Sequence, residues 1–242
     1  RTLVYHIYVR ISFRGTELTV QKKKRRRLMY PFKVSRLIQW ALSGFTWRID
    51  RPGKNIYLTF DDGPIPEATP WVLRRLEDFG AKATFFCVGH NIEKHPRVFE
   101  RMVKAGHTPA NHTFNHLSGF DVSAEQYVEN VWKAEKLIGT RLFRPPYGKI
   151  TPRQYMTLKK DFKMVLCDVL SGDFDKNNRT EDLVQRTISG TENGSIILFH
   201  DSIKAIPRIS EALPAVLRYF SDKGYSFRSL DFAFQNDITG KP

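Results

Sequence analysis

The chain has 242 residues, 41% of them hydrophobic, which suits one domain with a full core. No run approaches the roughly 18–20 consecutive apolar residues of a membrane span, so no transmembrane helix is expected. The formal net charge of +14 is uneven: residues 1–36 hold eleven Lys or Arg against one Glu, a balance of +10 that leaves +4 for the rest.

The basic run Lys22-Lys23-Lys24-Arg25-Arg26-Arg27 suits contact with nucleic acid, anionic lipid or an anionic wall polymer, and equally a solvated tail. Residues 1–28 read as a basic, disordered or appended tail, with Met29 a plausible start, and no long apolar core follows the run as a signal peptide requires. Residues 29–54 form an amphipathic N-terminal segment. Within it Arg36 to Ile49 sets Leu37, Trp40, Ala41 and Phe45 at helical spacings, a face that suits its own domain or a membrane surface.

A regular pattern begins at residue 55 and defines the main domain, 55–235. Asn55–Phe60 reads as a strand. A helix follows from Pro70, capped by Thr69, to Phe79, where Gly80 stops it. Ala83–Val88 is a second strand, Pro96–Lys104 a helix, and Ser123 caps a helix to Ile138. Thr151-Pro152 opens another helix, Met164–Cys167 is a strand, and Thr180 caps a helix through Ile188. Ser195–Phe199 is a strand, Ile209–Lys223 a helix ended by Gly224, and Tyr225–Arg228 a last strand. Such alternation implies a parallel sheet flanked by helices, either a nearly closed βα barrel or an open doubly wound sheet. In both, polar residues that follow strands share one rim. Cys87 and Cys167 each sit in an apolar run and read as buried free thiols.

Five short constellations sit at or after predicted strands. Asp61 and Asp62, in TFDDGP, are adjacent carboxylates that are costly without a compensating cation, though DDGP also suits a plain turn. His112 and His116, in HTFNH, are four apart; on one face of a helical turn both imidazoles reach one metal, and with a carboxylate they suit zinc and similar ions. Arg144, in RPPYG, is an Arg on a proline-stiffened loop that can neutralise and orient a carboxylate. Asp173 follows Gly172 in a loop. His200 ends an apolar strand, where a polar residue has either a role or a partner. Each signal alone also fits a structural reading. Their order around successive strands is what makes them specific.

With these motifs the chain resembles the polysaccharide deacetylases of carbohydrate esterase family four, the NodB-like domain. TFDDGP, HTFNH, RPPYG, SGDFD and ILFH look like the family's five motifs in order, from about Ile56 to about Arg228. The resemblance implies an α/β fold, a deformed (β/α) barrel of about seven strands. It implies a metal-dependent hydrolase that removes N-acetyl groups from a peptidoglycan-like or chitin-like glycan. Asp61 would be the general base, and Asp62, His112 and His116 would hold one divalent metal, zinc first, with cobalt, nickel, manganese or iron as alternatives. Arg144 would position Asp61, His200 would be the general acid, and Asp173 would tune it. Leu198 would line the acetyl-methyl pocket, and the Tyr147 N–H would help bind the oxyanion. Phe174 stands where the family usually carries Trp, which bears on substrate fit. Pro109, just before HTFNH, lacks a ladder donor and suggests an edge or irregular position.

The implied partner is an N-acetylated glycan. Nucleic acid is disfavoured, and membrane-surface contact through the N-terminal segment stays open. The resemblance points to the bacterial cell envelope or exterior, while the missing signal pattern leaves the cytoplasm open. Two other classes compete: a catalytically silent carbohydrate-binding domain, and a metal-dependent phosphatase or nuclease built on Asp61-Asp62. The histidines favour a softer ion than Mg²⁺, and no phosphate loop is present.

Overall fold

The computed structural model describes residues 31–231; the basic run and Met29 lie outside the described residues. Seven parallel strands form one sheet in the order β5-β4-β3-β2-β1-β7-β6. They are β1 (Asn55–Asp61), β2 (Ala83–Cys87), β3 (Thr108–Asn111), β4 (Leu142–Phe143), β5 (Lys163–Met164), β6 (Val169–Leu170) and β7 (Ile196–His200). A short β8 (Ser226–Phe227) pairs with the start of β1. The helices are α1 (Arg36–Ala41), α2 (Thr69–Glu77), α3 (Gly89–Lys94), α4 (Pro96–Lys104), α5 (Ala124–Ile138), α6 (Pro152–Leu158), α7 (Thr180–Gly190) and α8 (Ile206–Asp222).

The central strands carry long, buried apolar runs, as parallel strands covered on both faces must. Register stacks Phe60 on Phe85 of β2 and on Phe199 of β7, with ring centroids 5.0 and 5.9 Å apart. Each such buried ring contributes about 1.5–3 kcal/mol of burial, and the stacked pairs add to it. The largest core cluster joins this ladder to the inner faces of α2 and α8.

The sheet curls into a deformed barrel whose end strands do not meet. Residues 33–49 span the gap between β5 and β6. Thr46 makes a parallel bridge to Val165, Lys33 an antiparallel bridge to Val169, and Arg48 an antiparallel bridge to Ser195. The buried Asp168 carboxylate anchors the crossing. It accepts from Lys33 Nζ at 2.9 Å, Ser195 Oγ at 3.0 Å and Ile196 N at 2.9 Å. Val34, Trp47 and Ile49 fill the seam beneath.

Several local expectations are corrected. The amphipathic stretch is a six-residue helix, α1, that leaves Leu37 and Trp40 72% and 76% exposed. Beyond α1 the chain runs close against Tyr155 at Gly44, whose carbonyl accepts from the Tyr155 hydroxyl at 3.1 Å; a Cβ there would collide with that side chain. Thr69 does not cap α2: its hydroxyl is spent on Asp201 and accepts from Ile65 N. Arg179, rather than Thr180, is the N-cap of α7, and α8 starts at Ile206. Of the expected strand Met164–Cys167 only Met164 belongs to a ladder strand, β5, which starts one residue earlier at Lys163. By contrast, Ser123 and Thr151 each form a full capping box.

Pro109 lies in the interior strand β3, and the ladder shows why that is tolerated. His112 N donates to Cys87 O and Arg144 N to Asn111 O, so alternate positions bond to opposite neighbours. Pro109 faces the β4 side, where pairing begins only at Asn111. Cys87 and Cys167 are both buried and free.

Candidate active site

The C-terminal ends of the strands converge on one cleft, with about 650 Å³ of space including its open mouth. Asp61 and His200 are register partners on adjacent strands, the last residues of β1 and β7. Beyond them Asp62, His112, His116, Arg144, Tyr147, Phe174 and Leu198 line the same cleft, and Asp173 stands behind His200. All ten sequence candidates therefore meet at one rim.

Arg144 is buried and has its donors placed. Its NH1 donates to Asp61 Oδ1 at 2.7 Å and to Thr59 Oγ1 at 2.9 Å, and its NH2 to Leu166 O at 3.1 Å. The guanidinium also lies 4.0 Å from the centroid of the Phe86 ring. One Asp61 oxygen is thus fixed, and the other, Oδ2, faces His112 Nε2 at 3.7 Å.

The two histidines do not sit on a helical turn. Residues 112–116 form an irregular bend, in which Thr113 and His116 take left-handed backbone angles of φ 64° and 55°. The bend is held by Asn111, which accepts from Thr113 N, and by Asn130, which accepts from Phe114 N and Asn115 N. Asp62 (φ 83°) and Tyr147 (φ 60°) share this unusual conformation, and the four are the non-glycine residues with it among the described residues. Such angles cost on the order of 1–3 kcal/mol each and persist where surrounding contacts impose them.

Electrostatics divide the site into two halves. Burial pushes the His112 imidazole down to about 4, against the nearby Asp61 carboxylate, so it is neutral near pH 7. Its Nδ1 lies 2.8 Å from Arg144 O, and a carbonyl only accepts, so Nδ1 carries the proton and the Nε2 lone pair faces the aspartates. Burial opposes ionisation of Asp62, but the His116 hydrogen bond and the surrounding histidines outweigh it and hold this carboxyl below the usual range. In the other half, burial opposes charging of His200. The Asp173 carboxylate overcomes that, with help from Asp62 and Asp61, and raises the imidazole to about 10. Asp173 Oδ1 is 2.8 Å from His200 Nδ1, while Oδ2 accepts from His200 N at 2.7 Å.

Donor atoms of Asp62, His112 and His116 all lie within 4.8 Å of one another. One carboxylate and two imidazoles, one of them fixed in the ligating tautomer, fit a divalent first-row metal.

Sequence reasoning placed Leu198 in the acetyl-methyl pocket but did not single out Asp201, or Trp47, Leu166 and Leu170 at the cleft's apolar end. Asp201 is buried, accepts from Gly63 N at 3.0 Å and Thr69 Oγ1 at 2.5 Å, and donates its own N–H to Asp61 O at 3.1 Å. It clasps the turn after Asp62, where any Cβ on Gly63 would strike its carboxylate. A carboxylate directly after a strand-ending histidine was the available signal. The apolar end is formed by Trp47, Leu166, Cys167, Leu170 and Leu198. Trp47 precedes every motif, and nothing in its spacing marked it.

Residues 48–164 match the family model described as polysaccharide deacetylase. A peptidoglycan-N-acetylglucosamine deacetylase of Bacillus cereus is 32% identical over 189 residues, 75% of this chain and 89% of that protein. A chitooligosaccharide deacetylase of Azorhizobium caulinodans is 33% identical over 169 residues, 66% of this chain and 80% of that one. Among solved structures, the Bc1960 peptidoglycan N-acetylglucosamine deacetylase superposes with a TM-score of 0.75 at 29% identity, covering 82% of this chain and 96% of that one.

Proposed function

From the premise that this chain belongs to the polysaccharide deacetylase family, we propose that it is a metal-dependent hydrolase that removes N-acetyl groups from a peptidoglycan-type glycan. The observation that carries this reading is the pairing of Asp61 with His200 across adjacent strands, beside a two-histidine, one-aspartate donor set. Peptidoglycan is favoured over chitin oligomers because the Bacillus cereus relative named for peptidoglycan is matched over 89% of its own length, against 80% for the chitooligosaccharide deacetylase.

Asp62, His112 and His116 are the residues to hold the metal, zinc being the first choice for this donor set. When bound, such a metal polarises an acetyl carbonyl and lowers the pKa of water from about 15.7 towards about 7. Asp61, its Oδ1 occupied by Arg144, takes the proton of the attacking water through Oδ2. The Tyr147 backbone N–H donates to the oxyanion that develops on the carbonyl oxygen. His200, kept as imidazolium by Asp173, gives its proton to the leaving nitrogen, which departs poorly unless protonated. Water is consumed, the C–N bond breaks, and acetate and a free amino sugar are released. Leu198 and Phe174 flank the acetyl methyl; Phe174 packs edge-on against His200 at 5.4 Å.

The test is acetate release from an N-acetylglucosamine oligomer and from a peptidoglycan fragment, using metal-stripped protein with and without added zinc or cobalt. Release only with metal is the expected result. Tight metal binding without acetate from either substrate would instead favour a silent carbohydrate-binding domain.

A further inference from the structure

The five motifs account for the polar half of the cleft, but its apolar end is closed by a residue outside all of them. We propose that Trp47, delivered by the segment that plugs the barrel seam, is the end wall of the acyl pocket and sets the length of acyl group the enzyme accepts. This rests on the deacetylase reading above and adds to it a determinant of specificity.

Trp47 is 4% exposed yet borders two spaces at once, the catalytic cleft and an outer groove lined by Arg36, Trp40, Phe45 and Arg48. It therefore stands as the partition between them. Its placement is fixed from both sides. Indole Nε1–H donates to Leu42 O at 3.0 Å, and Phe45 packs edge-on at 6.4 Å. One residue earlier, Thr46 N donates to Met164 O at 2.8 Å and Thr46 O accepts from Leu166 N at 2.8 Å. The strand-like pairing thus ties the wall to Leu166 and Cys167, which form the pocket's neighbouring side. Burial raises the Cys167 thiol to about 12, so it serves there as a small apolar group. A rigid indole, unlike a flexible aliphatic side chain, does not yield to an extra methylene.

The experiment compares kcat/KM for N-acetyl and N-butyryl glucosamine oligomers in the metal-loaded wild type, W47A and W47F. Each methylene misfit is worth about 10-fold or more, so the wild type is expected to prefer acetyl by about 10²-fold. In W47A, which opens the cleft towards the outer groove, that preference should shrink at least ten-fold, and in W47F by less. Circular dichroism and thermal melting identify the variants that fold, and W47F retains a ring should W47A not fold. A wild type that hydrolyses butyryl within three-fold of acetyl would overturn the proposal, as would a folded W47A whose preference stays within two-fold of wild type. Should the wild type turn over neither substrate, the deacetylase reading fails on its own account. The wall is then decided by NMR titration with acetate and butyrate: acetate binding at least ten-fold tighter supports it, and any smaller difference overturns it.

Discussion

Asp61 and Asp62 are chain neighbours, yet their surroundings assign them opposite tasks. Arg144 pins one oxygen of Asp61, whereas Asp62 turns through a left-handed backbone towards His116, 3.1 Å away. Asp61→Asn is accordingly expected to lose most turnover and keep stoichiometric metal, while His116→Ala loses metal first; metal analysis beside kinetics separates the two. Replacement of His200 by Ala should slow turnover by about 10²–10⁴-fold, and a loss of only a few-fold would remove it as the acid. Asp201 offers a pH signature. Burial, with the charge of Asp62, raises its carboxyl to about 8 despite the Thr69 and Gly63 hydrogen bonds. An unfolded Asp titrates near 3.9, so the folded state holds the extra proton between about pH 4 and 8. Stability from this group is therefore full below that window and declines as pH rises through it. In metal-free protein, the difference in Tm between D201N and wild type should move in the variant's favour by a few °C from pH 5 to pH 8. A difference that stays constant would mean Asp201 is already ionised at pH 5. The candidate side chains were legible because carboxylates, imidazoles and a guanidinium at strand ends are chemically conspicuous. Trp47 was not, because an apolar residue in an amphipathic stretch looks like any other.

Elements long enough to show a period were legible, and the others were not. The helix α5 announced itself through Ser123 and an apolar face, and β1, β2 and β7 through continuous apolar runs. The two-residue strands β4 and β6 are shorter than any period, and register with longer neighbours alone makes them strands. The bend at 112–116 defeated the helical reading of HxxxH because Asn111 and Asn130 capture its backbone donors, which no spacing reveals. At this scale the seam between β5 and β6 is the weak joint. Asp168→Ala removes the acceptor shared by Lys33, Ser195 and Ile196 and leaves buried donors unpaired. Since Lys33 is partly exposed, a loss of about 2–3 kcal/mol is expected, measured by urea denaturation. An unchanged midpoint would show that the apolar packing of Val34 and Ile49 suffices.

For the whole molecule, closure depends on residues that precede the first strand. A chain beginning at residue 51 should melt well below one beginning at residue 31 and show little deacetylation, because it lacks both the seam and the Trp47 wall. Equal melting temperatures would mean that β5 and β6 hold their places unaided. The seam also has a temporal meaning. Lys33 is separated from Asp168 by 135 positions, so the segment that plugs the seam has nothing to close upon until residue 168 has been made. The candidate metal donors, Asp62, His112 and His116, are complete in the chain much earlier. During synthesis, the candidate donor set is therefore available before the seam that brings Trp47 to the cleft. Closure of the barrel, and not the gathering of those donors, is what waits on the later half of the chain.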